Sequence, residues 1–349
     1  MHLRKIPYSL VATDTAAIAA NTDSSNPSSR SQRFSTAHHR LSEITPIVPS
    51  NPRFAHETPP WSPYGYTLWH SLIASSQNLT EYHEIILPSF LYEDLLRCHS
   101  AWVSTSRIHT SLLNDVVETL LCTKSGKKLA GLLDGKRQWF IRLDQMSPKD
   151  SPMGGKLPSS TCEDVITKIC SSMRAYGCLT REFEDAKKEG REMEIKLVLN
   201  PWDEGMDAGK EFRVFVPPPA AKTGREANAA EFEISAISQY RWPMRFEAPW
   251  GFDLQRTVEL VDVGAKKVLE DIVSYAEKEL SEEIMGLLLR YGFSYDVALQ
   301  QNGSVQLVEI NPFGALSGCG ACLFNWVLDG KVLYGLEEPE FTVTVEEEG

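Results

Sequence analysis

The pair Asn302-Gly303, set between Tyr295-Asp-Val-Ala-Leu299 and Val305-Gln-Leu-Val-Glu-Ile310, is the tightest local constraint in the chain. Asn-Gly between two apolar runs predicts a β-hairpin with a two-residue type I′ loop, both loop residues at positive φ. Such a loop sets the register. Gln301 faces Ser304, and counting outward places Asp296 directly opposite Glu309, with Cβ atoms about 5 Å apart. Asn311 lies two residues beyond Glu309, on the same face, at the strand end that Pro312-Phe313-Gly314 imposes. Like charges in direct opposition repel, so the pair is either solvated at a rim or joined by a cation. Two carboxylates and a carboxamide oxygen are hard donors suited to Mg²⁺, which keeps several waters and bridges to nucleotide phosphates. On this reading Asp296→Asn abolishes metal binding and leaves the fold intact or slightly more stable.

The 349 residues, 42% hydrophobic, suffice for two lobes or for one large domain with a tail. A net charge of −12 without clustered Lys and Arg argues against a nucleic-acid partner. No apolar run approaches the ~20 residues that span a bilayer. Seven scattered cysteines and no signal peptide fit a reducing cytosol, with a mitochondrial address as the second choice because Arg4, Lys5, Arg30, Arg33 and Arg40 dominate the charge of the first sixty residues. Cys319-Gly-Ala-Cys322 lacks the second pair a zinc site needs and reads as a small-residue turn.

Residues 1–60, rich in Ser, Thr, Asn, Pro and Ala, read as a disordered tail whose removal leaves the melting temperature unchanged. Residues 61–192 are expected to form an N-terminal lobe and 193–338 a C-terminal lobe, with a Pro-rich insertion at 217–230 and an acidic end at 339–349, of which Val345-Glu-Glu-Glu-Gly349 frays. Strands are expected at 138–143, 193–199, 212–216 and 232–238, with the last two paired. Ser160-Thr-Cys-Glu163 reads as a capping box that opens a helix, and Val258–Leu280 has helical spacing.

Four further segments carry residues suited to a nucleotide. Arg142 on a strand and Lys149 in the following loop can reach phosphates. The strand ending at Val198-Leu199 against Trp202 can offer backbone groups to an adenine edge. Glu211 and Arg213 share one strand face, and Gln239 closes the neighbouring strand. GxGxxG, GxxxxGK[ST] and GxSxG are all absent, which argues against a Rossmann domain, a P-loop enzyme and an α/β-hydrolase.

The ordered set Phe140-Ile-Arg-Leu143, Ser147-Pro-Lys-Asp150, Leu197-Val-Leu199 with Trp202, Glu211-Phe-Arg-Val-Phe-Val216, Ile237-Ser-Gln239, Tyr295-Asp-Val297 and Glu309-Ile-Asn-Pro-Phe-Gly314 resembles the cell division cycle protein 123 family. The resemblance runs from about Trp69 to Trp326. It implies an α+β, ATP-grasp-like fold of two lobes clamping ATP·Mg²⁺, with mainly antiparallel sheets and flanking helices. It also implies adenine near Val198 and Leu199, phosphates at Arg142 and Arg213, and metal at Asp296, Glu309 and Asn311. The role it implies is that of a monomeric, cytoplasmic assembly chaperone for translation initiation factor 2, gripping the γ subunit. ATP-grasp proteins at large are carboxylate-amine ligases, and Arg241, Arg245 and Lys149 would then supply the acid pocket. The family has lysine at the position of Arg142, aspartate at that of Glu309, and a Thr-Asp-Ser-Leu-Leu-Phe-like run where this chain has Leu316–Phe324. These departures mark a divergent eukaryotic relative that keeps charge and ligand type at both single positions.

Overall fold

Strand Glu211–Val216 alternates Glu211, Arg213 and Phe215 with Phe212, Val214 and Val216, and every one of these residues is buried. Burial on both faces requires cover on both sides, and the sheet that provides it draws on distant parts of the chain. The computed structural model describes residues 1–20, 32–47, 57–152, 158–223 and 228–346. The chain divides into two units, the first comprising Met1–Tyr64, Leu68–Asn78 and Met206–Gly349, the second Gly65–Thr67 and Leu79–Gly205. The described strands are β1 (His2–Pro7), β2 (His83–Leu87), β3 (Trp139–Leu143), β4 (Ile195–Pro201), β5 (Glu211–Val216), β6 (Ala236–Gln239), β7 (Phe293–Leu299), β8 (Val305–Pro312) and β9 (Glu340–Val345).

In the first unit the strand order is β1-β9-β6-β5-β7-β8. β9 runs parallel to both β1 and β6, and the remaining pairs are antiparallel. One face packs against helix Leu254–Glu279, whose buried stripe is Val258, Val261, Ala265, Val268, Leu269, Ile272 and Ala276; Tyr295 reaches from this face to the Ala265 carbonyl at 2.7 Å. The opposite face is closed by the segment after β8, where Phe313, Phe324 and Trp326 pack on Phe215 and Ala236.

In the second unit β4 runs between β2 and β3, antiparallel to both. Leu91, Leu95, Leu113, Val116, Val165 and Ile169 come from helices Leu91–Thr105, Thr110–Leu121 and Cys162–Cys170 and bury one face of this small sheet. Cys162, Cys170 and Cys178 are buried there as free thiols.

The hairpin forms by a different route from the one its sequence suggests. Gly303 alone has positive φ (83°), and the Gly303 and Gln300 amides donate to the Gln300 and Ser304 carbonyls at 2.9 and 2.8 Å. The loop is therefore three residues, Gln301–Gly303, with glycine in the left-handed position. Asn302 stays at negative φ and uses its Oδ1 to accept from the Ser304 amide at 2.9 Å. The longer loop shifts the register by one, so that Val297 faces Leu307 and Leu299 faces Val305. A bulge at Val308 then shifts it back, and Asp296 does face Glu309. Two one-residue departures cancel.

Four boundaries differ from the sequence reading. Residues 2–7 are no tail but the edge strand β1, and Ile6, Val11, Phe34, Ile44 and Ile47 are buried. Their partners lie some three hundred residues away, beyond any local pattern; residues 21–31 and 48–56 fall outside the described set. The acidic end supplies β9, an interior strand, through Val345. The second unit extends to Gly205 rather than 192, because β4 pairs only with β2 and β3. The capping box is one residue later than expected: the Thr161 hydroxyl accepts from the Asp164 amide at 3.1 Å, and Asp164 accepts from the Thr161 amide at 3.1 Å. Of the 217–230 insertion, Pro219–Thr223 is a helical turn and Ala229–Glu231 a 3-10 turn.

Candidate functional site

Cross-strand register aligns one residue from each strand of the large sheet into a single polar rung: Arg4, Thr342, Ser238, Arg213, Asp296 and Glu309. Every member but Arg4 is buried. Arg213 forks onto Asp296, Nε to Oδ1 at 2.8 Å and Nη2 to Oδ2 at 2.7 Å, and sends Nη1 to the Gly320 carbonyl at 3.0 Å. Asn311 Nδ2 adds a third donor to Asp296 at 3.2 Å. The guanidinium lies 5.2 Å from the Tyr240 ring centroid. The Leu323 amide donates to the Ser238 hydroxyl at 3.1 Å, so the 319–323 loop lies along this rung.

This arrangement adds a third solution to the two open to opposed carboxylates, since a cation from the neighbouring strand already neutralises one of them. Burial works against the Arg213 charge, but Asp296 more than offsets it and the guanidinium stays protonated well above its ordinary range. Burial likewise pushes Asp296 above the usual carboxylate range; Arg213 opposes the rise, and Glu309, hydrogen-bonded to it, adds to it. Burial also raises the Cys319 and Cys322 thiols beside the rung, Cys322 to about 12, which leaves both protonated and poorly nucleophilic.

The donor set suits a hard divalent cation. Glu309, Asn311 and Asp296 supply oxygens, and the buried Ser294 hydroxyl, opposite Asn311, has no hydrogen-bond partner among the described residues. No three His, Cys, Asp or Glu side chains converge to hold a metal among the described residues, so an ion here would take the Asn311 carboxamide and water into its shell.

Of the residues singled out by sequence, Arg213, Asp296, Glu309 and Asn311 come together, with Glu211 buried two positions from Arg213 on the same face. Gln239 does not join them. It is on the other face, its Oε1 accepting from the Thr344 amide at 2.8 Å and its Nε2 donating to the Met244 carbonyl at 2.8 Å, so its amide is spent on backbone. Arg245 is exposed and ion-paired with Glu346 at 2.5 Å, and Arg241 is exposed in the turn after β6. In the second unit Arg142 is buried opposite Val198 with its guanidinium 4.1 Å from the Tyr66 ring centroid, and the Lys149 ammonium lies 5.8 Å from that of Phe140. Val198 faces Glu84 and Arg142, and Leu199 faces His83 and Ile141. Their backbone groups are engaged by the ladder on both sides and are unavailable to an adenine edge, because β4 is a middle strand. Trp202, just past the strand, is half-buried, its amide donating to the Gln138 carbonyl at 2.9 Å. Tyr240, Ser294 and Gly320 carry no sequence signal: register places Ser294 opposite Asn311, whereas Tyr240, just past β6, and Gly320, in the loop after β8, meet Arg213 through tertiary packing.

No protein-family model matches the chain, and no curated protein matches it in sequence. Solved structures do. Cdc123 from Schizosaccharomyces pombe is 18% identical with a TM-score of 0.51, over 81% of this chain and 96% of that one. Its C-terminally truncated form aligns with a TM-score of 0.52 at 18% identity, over 82% and 96%. D-alanyl-alanine synthetase A from Vibrio cholerae aligns more loosely, at 13% identity and a TM-score of 0.28, over 76% of this chain and 62% of that one. The chain thus has the α+β fold of Cdc123, in agreement with the resemblance read from its motifs.

Proposed function

We propose that this chain binds ATP·Mg²⁺ and, so loaded, acts in the cytoplasm as an assembly chaperone for the γ subunit of translation initiation factor 2. The observation that carries the nucleotide part is the buried rung in which Arg213, Asp296 and Glu309 stand side by side on three adjacent strands. Two opposed, buried carboxyl groups are a poor arrangement in themselves and a good one for a divalent cation. Asp296, Glu309 and Asn311 would hold the ion, which when bound neutralises phosphate charge. Arg213 uses three of its five N–H donors on Asp296 and Gly320, which leaves two for a phosphate oxygen. In the second unit, the motif resemblance assigns Arg142, Lys149 and Trp202 to nucleotide binding, and the Cdc123-like fold supports the partner.

No transmembrane segment competes with this reading: among the described residues no helix is long and apolar enough to cross a membrane. Titration calorimetry with ATP·Mg²⁺ tests the nucleotide site, with binding expected for the wild type and lost in Glu309→Gln and Asn311→Ala. Capture from a eukaryotic lysate tests the partner. Recovery of the initiation factor γ subunit by the wild type and not by Glu309→Gln supports the chaperone, whereas ADP release dependent on a small acid and an amine, without such recovery, replaces it with a carboxylate-amine ligase.

A further inference from the structure

Residues 32–36 belong to no helix or strand, yet they are held along their length. Asp14, on helix Tyr8–Ala20, accepts from the Arg33 and Phe34 amides at 3.0 Å each. Phe34 is buried with Ile6, Val11 and Leu323. The Ser35 amide donates to the Cys322 and Phe324 carbonyls at 2.7 and 3.0 Å, and the Thr36 hydroxyl accepts from the Trp326 amide at 3.0 Å. Asn325 Nδ2 donates to the Gln32 carbonyl at 3.2 Å. The segment is a strap laid over the 319–326 loop.

The other side of that loop rests on the rung, through the Gly320 carbonyl on Arg213 and the Leu323 amide on Ser238. Little slack exists between strap and rung, since a Cβ built on Gly320 would meet the Ser35 hydroxyl at 2.7 Å. Asp296 fixes the plane of the guanidinium, and the Gly320 carbonyl claims one of the two Nη1 protons. The five guanidinium N–H bonds are coplanar, so a shift of that carbonyl either frees the Nη1 proton it holds or drags the whole fork, and the uncommitted Nη1 donor with it.

We propose that the strap is a positioning element of the nucleotide site: Asp14 and Phe34 hold Ser35 on the loop, the loop holds the Gly320 carbonyl, and the carbonyl orients Arg213. The inference rests on Arg213 meeting the nucleotide. A displacement of the loop by several tenths of an ångström is expected to weaken ATP·Mg²⁺ binding about tenfold. Asp14→Ala and Phe34→Ala in the full chain are the variants, with Asp14→Asn, which keeps one acceptor, as the milder member of the series. Ile272→Ala, on the helix covering the opposite face, is the control for lost packing alone. Affinity is read by calorimetry. Alkylation of Cys322, which is 3% exposed beneath the strap, is read by mass spectrometry without any nucleotide. The strap variants are expected to bind about tenfold more weakly and to alkylate at Cys322, and Asp14→Asn to fall between them and the wild type, while Ile272→Ala loses stability alone. Should Phe34→Ala fail to fold, the Asp14 pair decides. Wild-type affinity and a protected Cys322 in the Asp14→Ala chain overturn the proposal. A wild type that does not bind ATP·Mg²⁺ overturns the proposed function instead, and Cys322 alkylation then still judges the strap.

Discussion

Asp296→Asn, which sequence alone marks as harmless or stabilising, is expected to be among the most damaging single changes in the first unit. Asp296 is fully buried, and its carboxylate is the counter-ion of a buried arginine. Removing one partner of such a pair strands the other charge, at a cost of about 3–5 kcal/mol. Relief of the repulsion with Glu309 returns about 1 kcal/mol. The net loss of about 2–4 kcal/mol corresponds to a fall in melting temperature of roughly 5–15 °C. Glu309→Gln removes the like charge and strands nothing, so it should unfold within about 1 kcal/mol of the wild type, or above it. The pH dependence separates the two further. The folded pKa of Asp296 is raised, so its contribution is complete below the ordinary aspartate range and is lost as pH rises through the folded value. Metal-free wild-type protein should therefore lose stability across that window, and Glu309→Gln should lose less. Scanning calorimetry of the three proteins in chelator, from about pH 4 upward, makes the comparison. Equal melting temperatures for Asp296→Asn and wild type, or a Glu309→Gln chain less stable than Asp296→Asn, would refute the reasoning.

Because Asp296 must be ionised to hold Mg²⁺ and its folded pKa is raised, the apparent affinity for the metal should rise by up to about tenfold per pH unit below that folded pKa, with proton release visible as a buffer-dependent heat in titration calorimetry. Deleting residues 1–47 removes β1 together with buried Ile6, Val11 and Phe34, each worth about 1.5–3 kcal/mol, and should lower the melting temperature of the chain well beyond error rather than leave it unchanged. Thr161→Ala should cost the second unit about 1 kcal/mol in urea unfolding, because it uncaps helix Cys162–Cys170.

What the sequence discloses here is what local chemistry controls. The 254–279 helix shows in its apolar spacing, and the hairpin shows in Asn302-Gly303. The opposition of Asp296 and Glu309 was reached from a loop type that does not form, and it survives because the bulge at Val308 cancels the extra loop residue. No residue-level signal announces that bulge, since Val308 looks like any other strand valine. Arg213 shares a face with Glu211, as their spacing predicts, but which carboxylate it meets depends on β5 lying beside β7, a matter of strand order. The same limit explains β1. Leu3 and Ile6 carry little periodicity in a polar stretch, and the partner that makes them a strand is β9. Gln239 and the Val198-Leu199 backbone failed as site candidates for a related reason: which face, and which side of a ladder, is decided by neighbours that the local sequence does not name.

The pairing of β1 with β9 has a consequence for how the polypeptide is made. His2 aligns with Glu340, so the large sheet cannot acquire its first strand until residue 345 has left the ribosome. The second unit, nearly all of it the continuous stretch 79–205, can complete its three strands and helices while that happens. Closing a loop of more than three hundred residues adds little equilibrium entropy beyond that of a shorter one, but it delays the contact and leaves an apolar edge waiting. During synthesis, β1 and helix Tyr8–Ala20, whose Val11 is buried in the finished fold, are thus segments for a nascent-chain holdase to shield until β9 has emerged.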